Sequence, residues 1–124
     1  MKTSEELQKI MDYATGTEKY TRFNVGIAEV LLTDGVVAFI ENADAFWFVS
    51  DVLSYIPSIR KKAPDEYLFS VVLNVAKGKG NLTITDGDNI PVASKHYAYT
   101  DCPDGEWRFY YDSDSNVLMY CKEY

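Results

Sequence analysis

Residues 31–56 read LLTDGVVAFIENADAFWFVSDVLSYI, and this stretch passes from strand to turn to helix to a second helix. Leu31 and Leu32 end a short run, Ile27 to Leu32, whose apolar and β-forming residues read as a strand although Glu29 interrupts them. Thr33-Asp34-Gly35 follows as a turn with capping side chains. Val36, Val37, Phe39 and Ile40 fit a helical turn or two. Asn42 suits a C-terminal stop, and Asp44 an N-cap for the next helix. From Ala45 to Ile56, the residues Phe46, Val49, Leu53 and Ile56 lie along one side, which is the side expected to face a sheet. Trp47, Phe48, Val52 and Tyr55 widen that stripe, and only Ser50, Asp51 and Ser54 stay polar. A helix this apolar is buried on two sides, or on one side plus a partner. Pro57 is expected to end or kink it.

On the N-terminal side, Thr3 and Glu6 have capping-box spacing, and Leu7, Ile10, Met11 and Ala14 recur at helical period. Gly16 can close that helix in the left-handed conformation. Residues 15–24 are polar and aromatic and read as an ordered connection. On the C-terminal side the period changes after Asp65. Tyr67, Phe69, Val71, Leu73 and Val75 alternate strictly, as in a long strand with one buried face. Lys77-Gly78-Lys79-Gly80 signals a hairpin turn, with Leu82 and Ile84 on the return strand. Val92 to Tyr99 forms a further strand with Pro91 before it; Trp107, Phe109 and Tyr111 alternate, as do Val117, Met119 and Cys121. A run of helices followed by a run of strands predicts an α+β fold over residues 1–124, a single domain. Its N-terminal helices should pack on one face of an antiparallel meander sheet of about five strands.

The chain of 124 residues is long enough to bury about two-thirds of its unfolded surface without staples or metal. Its net charge of −7 argues against a grip on phosphate backbones, so nucleic acid is not an expected partner. The same charge permits a partner with a basic surface. Polar Thr3 to Glu6 stand where a signal peptide would be apolar, and no run approaches the ~18 apolar residues of a membrane span. The expected location is cytoplasmic. Cys102 and Cys121 are then thiols acting as small hydrophobes near strand ends.

The catalytic inventory is thin. His96 is the only histidine, and no metalloprotease, P-loop, nucleophile-elbow or dinucleotide pattern occurs. No catalytic residue, metal ligand or cofactor is therefore assigned. Asp112, Asp114, Asn116 and Glu123 have the spacing of EF-hand positions, but Val117 stands where that loop needs glycine, so a strand-joining turn is the better reading. Arg60-Lys61-Lys62 complements the negative end of the preceding helix. Ten tyrosines exceed what one small core needs, and they suit either cross-strand pairing or an interface.

TGTEKYTR at 15–22, the segment 31–55, DGDN at 86–89, YTDCP at 99–103 and VLMYCKEY at 117–124 together resemble an uncharacterised family of unknown function. That family occurs in bacterial and phage or mobile-element sequences. Its pattern has Gly at the place of Asp44, Phe at the place of Cys102, and Leu-Pro-Ser at the place of Tyr120-Cys121-Lys122. The resemblance implies no reaction, cofactor or ligand.

The leading expectation is a small acidic, non-enzymatic protein that acts through contact with a protein partner or with its own copies. A phage or mobile-element accessory role is what the resemblance implies. A more specific version is an acidic decoy that occupies a basic, nucleic-acid-binding partner. The alternative is an enzyme or small-ligand binder with a pocket between the sheet and helix 45–56, drawing on His96, Asp51, Trp47 and Tyr55.

Overall fold

The computed structural model describes residues 2–124. The first helix, α1 (Ser4–Asp12), carries the expected capping box: Thr3 accepts from the Glu6 amide, and Glu6 accepts from the Thr3 amide. It buries Leu7 and Met11 against α2 (Asp34–Asn42). It ends at Asp12 with Tyr13 as C-cap in the right-handed region, so Gly16 plays no part in stopping it.

Residues 15–24, read as a connection, contain an unexpected strand. β1 (Thr21–Val25) and β2 (Ala28–Leu32) form an antiparallel hairpin whose tip holds Gly26 at φ 62°. β1 is exposed along almost all its length, with only Phe23 partly covered, and so carries no alternating burial signal. The remaining strands are β3 (Leu68–Ala76), β4 (Lys79–Thr85), β5 (Pro91–Tyr97), β6 (Gly105–Asp112) and β7 (Val117–Tyr120).

All of these join one curled sheet in the order β1-β2-β7-β6-β3-β4-β5. The expected five-stranded antiparallel meander is thus corrected in number and topology. β2 docks parallel to β7, bringing the N-terminal hairpin into the sheet. β6 does not sit beside β5. The chain crosses back past β4 and β3, and β6 pairs on the far side of β3. The crossover, residues 98–104, passes the β3–β4 turn, where Lys77 and Gly78 both have positive φ as a two-residue hairpin turn requires. There the Thr100 amide donates to the Gly78 carbonyl at 2.8 Å, and the Lys77 amide donates to Asp104 Oδ1 at 3.1 Å.

The strict alternation in β3 and β6 places Phe69, Val71, Leu73, Val75, Trp107, Phe109 and Tyr111 on the covered face. Phe39 of α2 sits at the centre, 5.1 Å from Phe109, 5.6 Å from Trp107 and 5.8 Å from Phe48 between ring centroids. Such edge-on and tilted pairs add about 0.5–1.5 kcal/mol each beyond area burial. In β7 the buried set is Val117, Leu118 and Tyr120, so Met119 and Cys121 lie on the less covered side.

In the third helix, α3 (Phe46–Lys62), three of the four residues expected to face the sheet, Val49, Leu53 and Ile56, are buried, and Phe46 is not. Its buried residues are Phe48, Val49, Val52, Leu53, Ile56 and Ile59, while Phe46 is 48% exposed at the first helical position. The buried stripe is broad because Phe48 and Val52, first read as its margin, join Val49, Leu53 and Ile56 in the core, while Trp47 and Tyr55 are partly covered. Pro57 neither ends the helix nor meets the core. It is exposed, and α3 continues for five more residues, to Lys62.

Asp44 is not the N-cap of α3. It has φ 52°, and the N-cap is Ala45, which has no capping side chain. The Ala45 amide donates back to the Ile40 carbonyl at 2.9 Å, closing α2 in a Schellman arrangement with Asp44 at its left-handed position. Glycine is the usual residue there because it has no Cβ to crowd the carbonyl.

Candidate functional site

An open cleft of about 520 Å³ lies where the first half of α3, the edge strand β5 and the crossover 98–101 meet. Its lining comes from α3 (Trp47, Asp51), from Asp44 before it, from β5 (Lys95, Tyr97) and from the crossover (Tyr99, Thr100, Asp101). β5 is exposed to this role by its place at the end of the sheet and by a bulge. Ile84 pairs with Ala93 but Thr85 pairs with Pro91, leaving Val92 as an extra residue on β5. Val92 tucks into the core, and the alternation restarts with Ala93, Lys95 and Tyr97 on the helix side.

The bulge separates the expected site residues. Val92 is buried in the core, whereas Ser94 and His96, beyond the bulge, are exposed on the outer face. His96 pairs with Asn81 on the outer face, its Nδ1 2.9 Å from Asn81 Oδ1, and is exposed. It lies across the sheet from the cleft. Trp47 and Asp51 both line the cleft. Tyr55 is partly buried one turn along α3, close enough to add to the charge felt by Tyr97, but it does not line the cleft.

Asp51 is the organising carboxylate. Tyr97 donates its hydroxyl to Asp51 Oδ2 at 2.5 Å, and Lys95 Nζ lies 3.3 Å from Asp51 Oδ1. The same ammonium sits 5.3 Å from the centroid of the Tyr97 ring. Trp47 meets that ring edge-on at 4.8 Å. Burial, reinforced by the Asp51 hydrogen bond and charge, drives the Tyr97 phenol far above its ordinary value, so it stays a donor. On the other wall, Tyr99 donates to Asp101 Oδ1, and that bond raises the Tyr99 phenol. Lys95 was missed in the sequence because it falls next to His96 in a strand whose faces only the bulge defines. Tyr97 and Tyr99 were visible only as members of a tyrosine excess.

The other candidates have structural employment. Asp112 Oδ1 accepts the amides of Asp114 and Ser115 at 2.9 and 3.3 Å, and Asn116 adopts φ 57°, so the EF-hand-like spacing forms the β6–β7 turn. Arg60 reaches the Tyr111 hydroxyl and the Ser113 carbonyl, and Lys62 the Val92 carbonyl, so two of those three cations serve the fold. Cys102 and Cys121 are free thiols, the first buried and the second partly so. Burial pushes the Cys102 thiol up to about 12, which suppresses the nucleophilic thiolate. Among the described residues, no helix is long and apolar enough to cross a membrane.

A second constellation gathers three segments that carry the family resemblance. Glu123, in a short 3-10 turn (Cys121–Glu123), accepts from Thr33 Oγ1 at 2.6 Å, from the Gly35 amide at 3.0 Å and from the Tyr120 amide at 2.9 Å. Thr17 also donates to it. The carboxylate thus lies at the N-terminus of α2, where unpaired amides and the helix dipole favour negative charge. The Glu18 amide adds a bond to Asp34 Oδ2 at 2.9 Å. Residues 15–18, 33–35 and 120–123 are therefore one interlocked unit, and their chemistry is that of a helix cap.

A model described as a family of unknown function (DUF6876) matches residues 5–124. The chain belongs to that family. No curated protein and no solved structure matches the chain. For this DUF6876 domain, the family assignment carries no activity, so the cleft has to be read from its own groups.

Proposed function

We propose that this DUF6876 protein is a non-enzymatic interaction protein whose contact face is the cleft between α3, β5 and the crossover. The observation that carries this reading is the convergence of Trp47, Tyr97 and Tyr99 with three carboxylates, Asp44, Asp51 and Asp101, in one open depression. Aromatic rings with a polar tip supply large contact area at low entropic cost, which is why they concentrate at interfaces. The cleft lining holds neither a histidine nor a thiol: His96 lies on the opposite face and Cys102 is buried. Free thiols suit a reducing compartment, and a cytoplasmic role is part of the proposal. The phage or mobile-element setting is carried by the resemblance alone.

A pull-down at low salt, comparing the wild type with Trp47→Ala and Tyr99→Ala, tests it. Tyr99 is 74% exposed, so its truncation leaves the fold intact. A partner held by the wild type and weakened about tenfold or more by both variants supports the cleft. No partner, or capture undiminished by either variant, overturns it. Light scattering adds the copy number; a strict monomer would remove self-association as the use of this face.

A further inference from the structure

We propose that the cleft receives an arginine side chain from a basic segment of a protein partner. The inference rests on the cleft being the contact face, and it names the chemistry that face selects.

The charge balance comes first. Three carboxylates and one ammonium line the depression, on a chain of net charge −7. Anionic ligands, nucleic acid included, meet repulsion there, and a cation is drawn in.

The aromatic walls come second. The negative face of a Tyr or Trp ring attracts a cation placed over it. The protein demonstrates this with its own side chain: Lys95 Nζ stands over the Tyr97 ring at 5.3 Å while pairing with Asp51 at 3.3 Å. A ring-and-carboxylate arrangement that holds an ammonium is thus already built. Tyr99 and Asp101, hydrogen-bonded to each other, add a second ring and a second carboxylate to the lining. Asp44, exposed at the α2–α3 joint, adds a third carboxylate at the rim.

The preference for arginine follows from geometry. A guanidinium is planar, stacks on an aromatic face and donates in a fork that a carboxylate accepts in pairs. Asp101 keeps acceptor capacity beyond its single bond from Tyr99, since a carboxylate offers about four lone-pair sites. Lysine, a compact point charge, is the cation the cleft already supplies for itself.

The test titrates the isotope-labelled full chain with acetyl-Gly-Arg-Gly-Arg-Gly-amide and follows its amide and indole signals. The citrulline analogue, the lysine analogue and free arginine amide run alongside. Trp107 is buried, with its indole donating to the Pro103 carbonyl, so its signal reports the intact fold. The expected result is movement of the Trp47 indole and of the Tyr97, Tyr99 and Asp101 amides. Binding should be about tenfold weaker or more for citrulline and for an Asp44→Asn/Asp101→Asn variant. Added salt should weaken it further. A citrulline peptide that binds equally well at these residues would overturn the cation while leaving the contact face standing. Arginine-peptide shifts confined to other surfaces, or none, would also overturn the proposal, and the pull-down variants then decide whether the contact face falls with it. Free arginine amide binding as tightly as the peptide would overturn the protein partner in favour of a small cation.

Discussion

The backbone amide of Gly35 donates to the carboxylate of Glu123 at 3.0 Å across 88 positions of chain, so the turn Cys121–Glu123 caps the second helix. A Cβ at position 35 would lie 2.3 Å from Glu123 Oε1 and 2.9 Å from Tyr120 Cβ. Glycine is needed there for room, since its φ lies outside the left-handed region.

Gly35→Ala therefore sets two effects against each other. Alanine is intrinsically better in a helix by about 1 kcal/mol. Overpacking costs about 1–3 kcal/mol, and displacing a carboxylate with several donors adds to that. A net destabilisation of roughly 2 kcal/mol is expected in urea denaturation. A stabilised variant would show that Glu123 moves aside freely.

Glu123→Gln keeps the shape and removes the charge at the α2 N-terminus, whereas Glu123→Ala strands the Gly35 and Tyr120 amides. Losses of about 1 kcal/mol and about 2–3 kcal/mol are expected, in that order, from thermal or chemical melts. Equal and negligible losses would mean that water replaces the carboxylate at no cost.

This cap shows where the sequence was legible and where it was not. The alternation of β3 and β6 announced their buried faces because one face is covered along its whole length. Thr33 announced a helix start because its capping bond to Val36 is local. Glu123 gave no such sign: three of its four partners lie 88, 90 and 106 positions away, and only the Tyr120 amide is local. β1 was silent for the opposite reason, since an exposed edge strand has no burial to pattern. In the cleft, Trp47 and Asp51 stood out as residues of a strongly apolar helix. Lys95 and Tyr97 did not, because a one-residue bulge reset their face and sent His96 to the other.

Asp44→Gly should stabilise the protein. The Schellman position holds Asp44 at φ 52°, where an L-residue is strained by up to about 1 kcal/mol and Asp rather less. Glycine relieves this but gains freedom in the unfolded chain, so the expected gain is about 0.5 kcal/mol. Asp44→Val, β-branched, should lose about 1–2 kcal/mol at the same site. A glycine variant less stable than the wild type would place the value of Asp44 in its carboxylate, not its backbone.

The two thiols should separate cleanly in reactivity, and the fold should weaken in alkali. Cys121 is partly exposed and should label first with a thiol reagent near pH 8, while buried Cys102 waits for unfolding. Burial pushes the Cys102 thiol from its ordinary 9.0 up to about 12, and the Tyr120 phenol from 10.0 up to about 12; Tyr97 is raised as well. In each case the native state holds the proton more tightly than the unfolded chain. That stabilisation is complete below the unfolded values and is lost as pH climbs from about 9 through about 12. The melting temperature should therefore hold steady up to about pH 9 and then fall progressively. Cys102→Ala should remove the earliest part of that fall, because the thiol is the first of the three to titrate in the unfolded chain. A melting temperature that rises between about pH 9 and about pH 11 would contradict the burial of these groups.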